Sequence, residues 1–262
     1  MDAAALADLA LDIAREAGDL ARRRREAGVA IAATKSVIAD IVTEADREVE
    51  ALIRERLAVA RPGDGFLGEE SGAERGTTGI TWVVDPIDGT VNYAYGMPHY
   101  AVSIAAIEGE PEPPLWTALA GVVHNPATGE TFSAVRGGGA WRDGQRLAVS
   151  EVGGAGALVA TGFGYDPATH AGDLARVAKV MPLVRDLRRG GAASLDLAYV
   201  AAGRLDGYFE RGLHPWDHAA GALLVTEAGG VVTGSPHGAP GREMTVAAGP
   251  ALHARLVAAI SA

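Results

Sequence analysis

Apolar residues recur every three or four positions in the first segment of the chain. Leu6, Leu9, Ala10, Ile13, Ala17, Leu20 and Ala21 share one helical face, while Asp8, Asp12, Arg15 and Asp19 fall elsewhere. This spacing predicts a helix ending near Gly28. A second helix is predicted from about Ala45, with Val49, Leu52, Ile53 and Leu57 as its buried stripe, Thr43 as its cap and Arg61-Pro62-Gly63 as its stop. The pattern then changes to short apolar runs punctuated by turn residues, at 65–67, 80–84, 101–107, 115–123 and 131–135, which read as strands. Asp143-Gly144 predicts a hairpin turn before a strand at 146–149, and another strand begins at 157–161. Helices return at about 174–184, 193–202, 216–228 and 250–260, alternating with strands near 207–210, 231–233 and 244–247. The chain therefore divides into an N-terminal part, 1–150, and an α/β C-terminal part, 151–262. The two are fused into one compact unit with a seam near 150–156.

The strongest chemical signal is Asp85-Pro86-Ile87-Asp88-Gly89-Thr90, directly after the apolar run Ile80-Thr81-Trp82-Val83-Val84. A buried strand here ends in two carboxylates. Pro86 fixes its own φ and is expected to end strand pairing, and Gly89 permits close backbone approach. The amides from Gly89 to Val91 can open a helix toward an anion. Asp85 and Asp88 flank a tight turn and can converge on a hard cation shared with phosphate oxygens; the plain alternative is a turn with an aspartate helix cap. Gly68-Glu69-Glu70-Ser71 places two more carboxylates at a second strand end, although a solvated acidic loop would explain it alone. Asp217 follows Trp216 at the start of a late helix, where aspartate is commonly a cap. Asp46 lies three residues after Thr43 in a capping-box arrangement.

Composition narrows the chemistry further. With 262 residues, 48% of them hydrophobic, the chain can bury one large core or two fused ones, and a net charge of −10 disfavours nucleic acid and anionic membranes as partners. The one basic run, Arg22 to Arg25, falls near a helix C-terminus, where cations suit the dipole. The chain has no cysteine, which excludes disulfides, thiolate metal sites and thiol nucleophiles and suits a cytoplasmic protein. No run of about 18 uncharged apolar residues is present, so neither a membrane span nor a signal peptide is expected. No serine stands in a nucleophile-elbow context, and Gly162-Phe163-Gly164 is too short for a dinucleotide fingerprint. His214 and His218 flank Trp216-Asp217, but hard cations prefer oxygen.

Five ordered motifs span almost the whole chain: Lys35 with the segment 40–46, Gly68-Glu69-Glu70-Ser71, the hexapeptide at 85–90, the segment 188–193, and Pro215-Trp216-Asp217. Together they resemble the inositol monophosphatases, within the superfamily of lithium-sensitive, magnesium-dependent phosphatases. The resemblance implies an α/β fold of α+β type, a layered α/β/α/β/α sandwich like that of inositol monophosphatase and fructose bisphosphatase, and a homodimer. It implies that Glu69, Asp85 and the backbone carbonyl of Ile87 hold one Mg²⁺, while Asp85, Asp88 and Asp217 hold a second. Thr90, oriented by Asp46, would place a metal-activated water for in-line attack on phosphorus, with Glu69 helping to deprotonate it and no covalent enzyme intermediate. Four carboxylates balance two Mg²⁺ and leave the phosphate dianion uncompensated. The amides at Gly89 and Thr90, the Lys35 ammonium, or a third, weakly held Mg²⁺ near Glu69 would offset it.

The resemblance also implies that the substrate alcohol is gripped by Asp88, the backbone at Gly191, Ala192 and Ala193, and Glu210, with Asp217 adjoining. Two positions depart from the pattern. Ala192 replaces a hydroxyl residue, and Pro215 precedes Trp216 where other types are usual. The implied activity is release of phosphate from inositol monophosphate, a small phosphorylated polyol. Histidinol phosphate, fructose 1,6-bisphosphate and 3′-phosphoadenylate nucleotides are alternative substrates for the same centre. A reading of a different class is a partner-binding regulatory protein built on the phosphatase fold.

Overall fold

A computed structural model of the protein describes residues 2–29, 31–34, 41–152, 156–234 and 238–261. Lys35 and Asp40 lie outside the described residues, as do residues 153–155 in the middle of the expected seam.

Helix α1 (Ala3–Ala27) is capped by Asp2, whose carboxylate accepts from the amides of Ala4 and Ala5. Its buried face is Leu6, Ala7, Ala10, Ile13, Ala14, Ala17, Gly18 and Ala21, rotated from the expected stripe so that Leu9 and Leu20 fall at its edge. Small residues on this face permit close packing: a Cβ at Gly18 would run into the His124 ring. Two short antiparallel strands follow, β1 (Ile31–Thr34) and β2 (Ile41–Thr43), neither of them predicted. Helix α2 (Glu44–Ala60) starts at Thr43 in the expected capping box. In the basic run, Arg22 pairs with Asp19 and Glu26, and Arg24 pairs with Glu48.

The next strands are β3 (Gly65–Gly68), β4 (Gly72–Glu74), β5 (Ile80–Asp88), β6 (Ala101–Gly109), β7 (Trp116–His124), β8 (Thr131–Val135), β9 (Gly139–Arg142) and β10 (Gln145–Arg146). They form one eight-stranded sheet in the order β10-β9-β8-β7-β6-β5-β3-β4, with helix α3 (Thr90–Tyr95) between β5 and β6. The strand expected at 146–149 is reduced to Gln145–Arg146, since Asp143, at φ +47, and Gly144 close the turn between β9 and β10.

The second sheet comprises β11 (Leu158–Thr161), β12 (Asp186–Arg188), β13 (Gly207–Glu210), β14 (Val231–Thr233) and β15 (Thr245–Ala248), in the order β12-β11-β13-β15-β14. Its helices are α4 (Pro167–Val180), α5 (Ala193–Ala201), α6 (Pro215–Glu227) and α7 (Pro250–Ser261). Helix α4 begins earlier than the apolar spacing suggested, because Asp166 caps it and Pro167 opens it without any apolar periodicity.

Helices α1 and α2 pack on one face of the large sheet and α5 and α6 on the other. The small sheet lies against α5 and α6, and α4 and α7 close the far side. The result is the expected α/β/α/β/α sandwich. Alternation along the central strands serves two cores at once: Trp82 and Val84 of β5 face α1 and α2, while Val83 faces α5 and α6. Both faces are covered, which is why these strands read as continuous apolar runs. Among the described residues no helix is long and apolar enough to cross a membrane.

Candidate active site

The site forms where strands of the large sheet end. β3 and β5 run parallel with Gly68 opposite Val84, and the Glu69 amide donates to the Val84 carbonyl at 3.2 Å, so Glu69 and Asp85 leave adjacent strands side by side. β5 does not stop at Val84 as the proline suggested. Its pairing with β6 continues from Asp85 opposite Ser103 to Asp88 opposite Ala101, and Pro86 and Ile87 form a bulge. A proline is tolerated there because the bulged residues are out of the ladder. The Ile87 amide donates back to Asp85 Oδ1 at 3.1 Å.

Gly89 has φ +88, and a Cβ on it would press against the Ala192 Cβ and the carbonyl oxygens of Gly191 and His99, each at 3.1 Å. Both conformation and space therefore demand glycine where the chain turns into α3.

The first turns of α5 and α6, from a later part of the chain, meet these strand ends. Asp217 sits in the first turn of α6, where its Oδ2 accepts from the His214 amide at 2.6 Å. It is a helix-capping group, as its position suggested, and also a member of the acidic cluster. Asp85, Asp88 and Asp217 offer oxygens that all lie within 4.8 Å of one another, and Glu69 lines the same cavity. Burial and then the neighbouring charges push the Asp85 and Asp217 carboxyls well above the ordinary carboxylate range. Such a group of carboxylates is stable only when loaded with protons or cations, and an all-oxygen donor set suits a hard divalent ion. The residues present fit a metal. His218 is outside the cluster: its buried ring packs on Trp116 at 5.8 Å, and burial pushes its pKa down to about 4.

Asp88 is held from three directions by the start of α5. Its Oδ1 accepts from the Ala193 amide at 3.2 Å. Its Oδ2 accepts from the Ser194 amide at 2.7 Å and from the Ser194 hydroxyl at 2.5 Å. Burial raises the Asp88 pKa, and the Ser194 donors oppose the rise. Ala192, at the N-cap position, carries no capping group, and Asp88 from another part of the chain takes that role. Ala193 therefore spends its amide on Asp88, and Ala192 is buried, while Gly191 and Ala193 line the cavity. Ser194 was missed in the sequence, where the only hint was a helix start with no cap of its own.

Asp46 serves two partners with its two oxygens. Oδ2 accepts from the Thr43 amide at 2.8 Å and from its hydroxyl at 2.5 Å, and Oδ1 lies 3.1 Å from the Thr90 hydroxyl. That hydroxyl is also 3.1 Å from the Ile87 carbonyl. The capping box thus fixes Asp46, and Asp46 fixes Thr90 at the cavity wall.

The cavity, of about 290 Å³, is closed on its far side by Glu210 at the end of β13, by Phe163, Tyr165 and Arg189, and by Arg211 and His214. His214 stacks on Trp216 with ring centroids 4.7 Å apart. Glu210 accepts from the Tyr208 hydroxyl at 2.6 Å. Burial pushes its pKa up to about 7, against the opposing effects of Tyr208 and Arg189. A Cβ at Gly162 would overlap the Glu210 carboxylate, so the glycine-containing turn at 162–164 is shaped to admit this side chain. No local sequence signal marks Phe163, Tyr165 or Arg189 as cavity residues.

The profile of the inositol monophosphatase family matches residues 2–262. The inositol-1-monophosphatase SuhB of Mycobacterium tuberculosis is 41% identical over 279 residues, covering 98% of this chain and 93% of that protein. A protein of Escherichia coli named Nus factor SuhB is 43% identical over 230 residues, covering 86% of this chain and 84% of its own. Among solved structures, the extragenic suppressor protein suhB of Bartonella henselae superposes with a TM-score of 0.89 at 37% identity, with 98% of each chain covered.

Proposed function

The chain belongs to the inositol monophosphatase family, and from that membership we propose that it releases phosphate from inositol monophosphate with Mg²⁺ as its metal. The observation that carries this reading is the convergence of Asp85, Asp88 and Asp217, from two different layers, on one cavity. Glu69, Asp85 and the Ile87 carbonyl would hold one ion, and Asp85, Asp88 and Asp217 a second; a third would be held loosely near Glu69. When bound, such ions supply charge stabilisation at the phosphate oxygens and make water more acidic. The protein's own groups supply the rest. Thr90, held by Asp46, orients the attacking water; Glu69 accepts its proton; and the amides around Gly89 and Thr90 face the phosphate. Glu210 accepts hydrogen bonds from hydroxyls of the polyol, and the backbone at Gly191 lies beside it. Lithium, close to Mg²⁺ in size, would inhibit by replacing the more labile ion. A homodimer acting in the cytoplasm completes the reading.

Turnover of inositol 1-phosphate, histidinol phosphate, fructose 1,6-bisphosphate and a 3′-phosphoadenylate nucleotide at equal concentration tests the substrate. The expected order begins with inositol 1-phosphate, and a clear preference for histidinol phosphate would overturn it. The name of the Escherichia coli relative, Nus factor SuhB, favours a second reading, in which the fold serves a partner. Asp85→Asn separates the two: it fails to rescue a deletion phenotype if catalysis is the task and rescues it fully if binding is.

A further inference from the structure

A second cavity, of about 390 Å³, adjoins the acidic one, and Phe163, Gly164, Tyr165, Arg189 and Gly191 line both. Its remaining walls are Val91, which directly follows Thr90 in α3, and His170 and Leu174 of α4. The chemistry of the two cavities is opposite. Carboxylates dominate the first, whereas among the described residues no carboxylate lines the second, whose walls include the apolar surfaces of Val91, Phe163, Tyr165 and Leu174.

Two large side chains that the fold leaves in solvent stand here, Tyr165 at 46% exposure and Leu174 at 57%. Apolar groups gathered on a concave surface beside a reactive site mark a place for a ligand's apolar part. The loop that carries Tyr165 is tied to α4, since His170 Nε2 lies 2.9 Å from the Gly164 carbonyl. Arg189 stands where the cavities meet, and its charge is felt by Tyr165 and Glu210. A planar guanidinium and a phenol ring lining one cavity suit an aromatic occupant, which either can stack against.

We propose that this second cavity receives an aromatic group carried by the alcohol of the substrate, so that the protein hydrolyses phosphate esters of aryl-bearing alcohols as well as polyol phosphates. The inference rests on the hydrolase reading above. An alcohol leaving a phosphate held at Gly89 and Thr90 has two exits. One is polar, toward Glu210, and the other is apolar, past Val91 and Gly191.

The test compares kcat/KM for 2-phenylethyl phosphate, ethyl phosphate and inositol 1-phosphate in the intact protein and in Leu174→Asp. The two alkyl esters release alcohols of similar acidity, so a difference between them reports binding of the ring. The protein is expected to favour the phenylethyl ester about tenfold, as burial of a ring allows. Leu174→Asp removes that preference and changes inositol 1-phosphate turnover by less than about twofold. Equal kcat/KM for the two alkyl esters, or a preference that survives Leu174→Asp, overturns the proposal. Equal loss on all three substrates with a changed size on gel filtration also overturns it, by assigning Leu174 to a contact between copies. A protein inactive on all three esters removes the hydrolase reading and this subsite with it. Failure confined to the phenylethyl ester leaves that reading standing.

Discussion

The two walls of the acidic cavity are built differently. On one side Glu69, Asp85 and Asp88 stand at the ends of paired strands and Asp217 in the first turn of a helix, each fixed by backbone hydrogen bonds or a ladder. On the other, Phe163, Tyr165, Arg189 and Gly191 come from connecting segments, and Glu210 alone projects from a strand. Like charges can be held together only by rigid elements, whereas a surface that selects an alcohol can be altered residue by residue without disturbing the core. The difference predicts that changes on the acidic wall act on chemistry and metal binding, and changes on the other wall act on KM.

The largest effect is expected from Asp85→Asn. Removing the carboxylate at the centre of the cluster should lower kcat by at least roughly a thousandfold while leaving the fold intact by circular dichroism. Activity within tenfold of the original would break the contrast. Thr90→Val should follow, with kcat down about a hundredfold and KM nearly unchanged, if its hydroxyl orients the reacting water as proposed.

Ser194→Ala sharpens the comparison, because this residue touches the acidic wall only through Asp88. Loss of the hydroxyl should move the Mg²⁺ concentration for half-maximal activity, and the affinity measured by calorimetry, about tenfold. An unchanged Mg²⁺ dependence would show that the amides of Ala193 and Ser194 suffice. Glu210→Gln, on the opposite wall, should raise KM for inositol 1-phosphate several-fold with little change in kcat.

The smallest effect concerns pH. In the metal-free fold the Asp85 and Asp217 carboxyls keep protons that the unfolded chain releases near the ordinary carboxylate pKa. Their contribution is fully present below that value and is lost as pH rises toward their folded pKa values. Cations need the deprotonated groups, so Mg²⁺ should raise Tm by more at about pH 8 than at about pH 5. Equal shifts at both values would contradict the raised pKa values.

The acidic wall was legible in the sequence because its parts are local. A continuous apolar run followed by Asp-Pro-Ile-Asp-Gly-Thr announces a buried strand, a turn and a helix start within a few residues. The bulge that carries Pro86 and Ile87 was not, because ladder pairing depends on β6. Ser194 escaped notice because its partner, Asp88, is far away in the chain, and Ala192 offered only a missing cap. The cavity roles of Tyr165 and Arg189 exist only after the small sheet packs on α5 and α6. Helix α4 starts before its apolar spacing announces it, because its first turns bury almost nothing.

Anomalous diffraction from crystals soaked with Mn²⁺ and phosphate tests the central claim most directly. Peaks are predicted between Asp85, Asp88 and Asp217 and between Glu69 and Asp85, with phosphate against the amides of Gly89 and Thr90. A cavity without any anomalous signal, or manganese bound only at other carboxylates on the surface, would contradict the account.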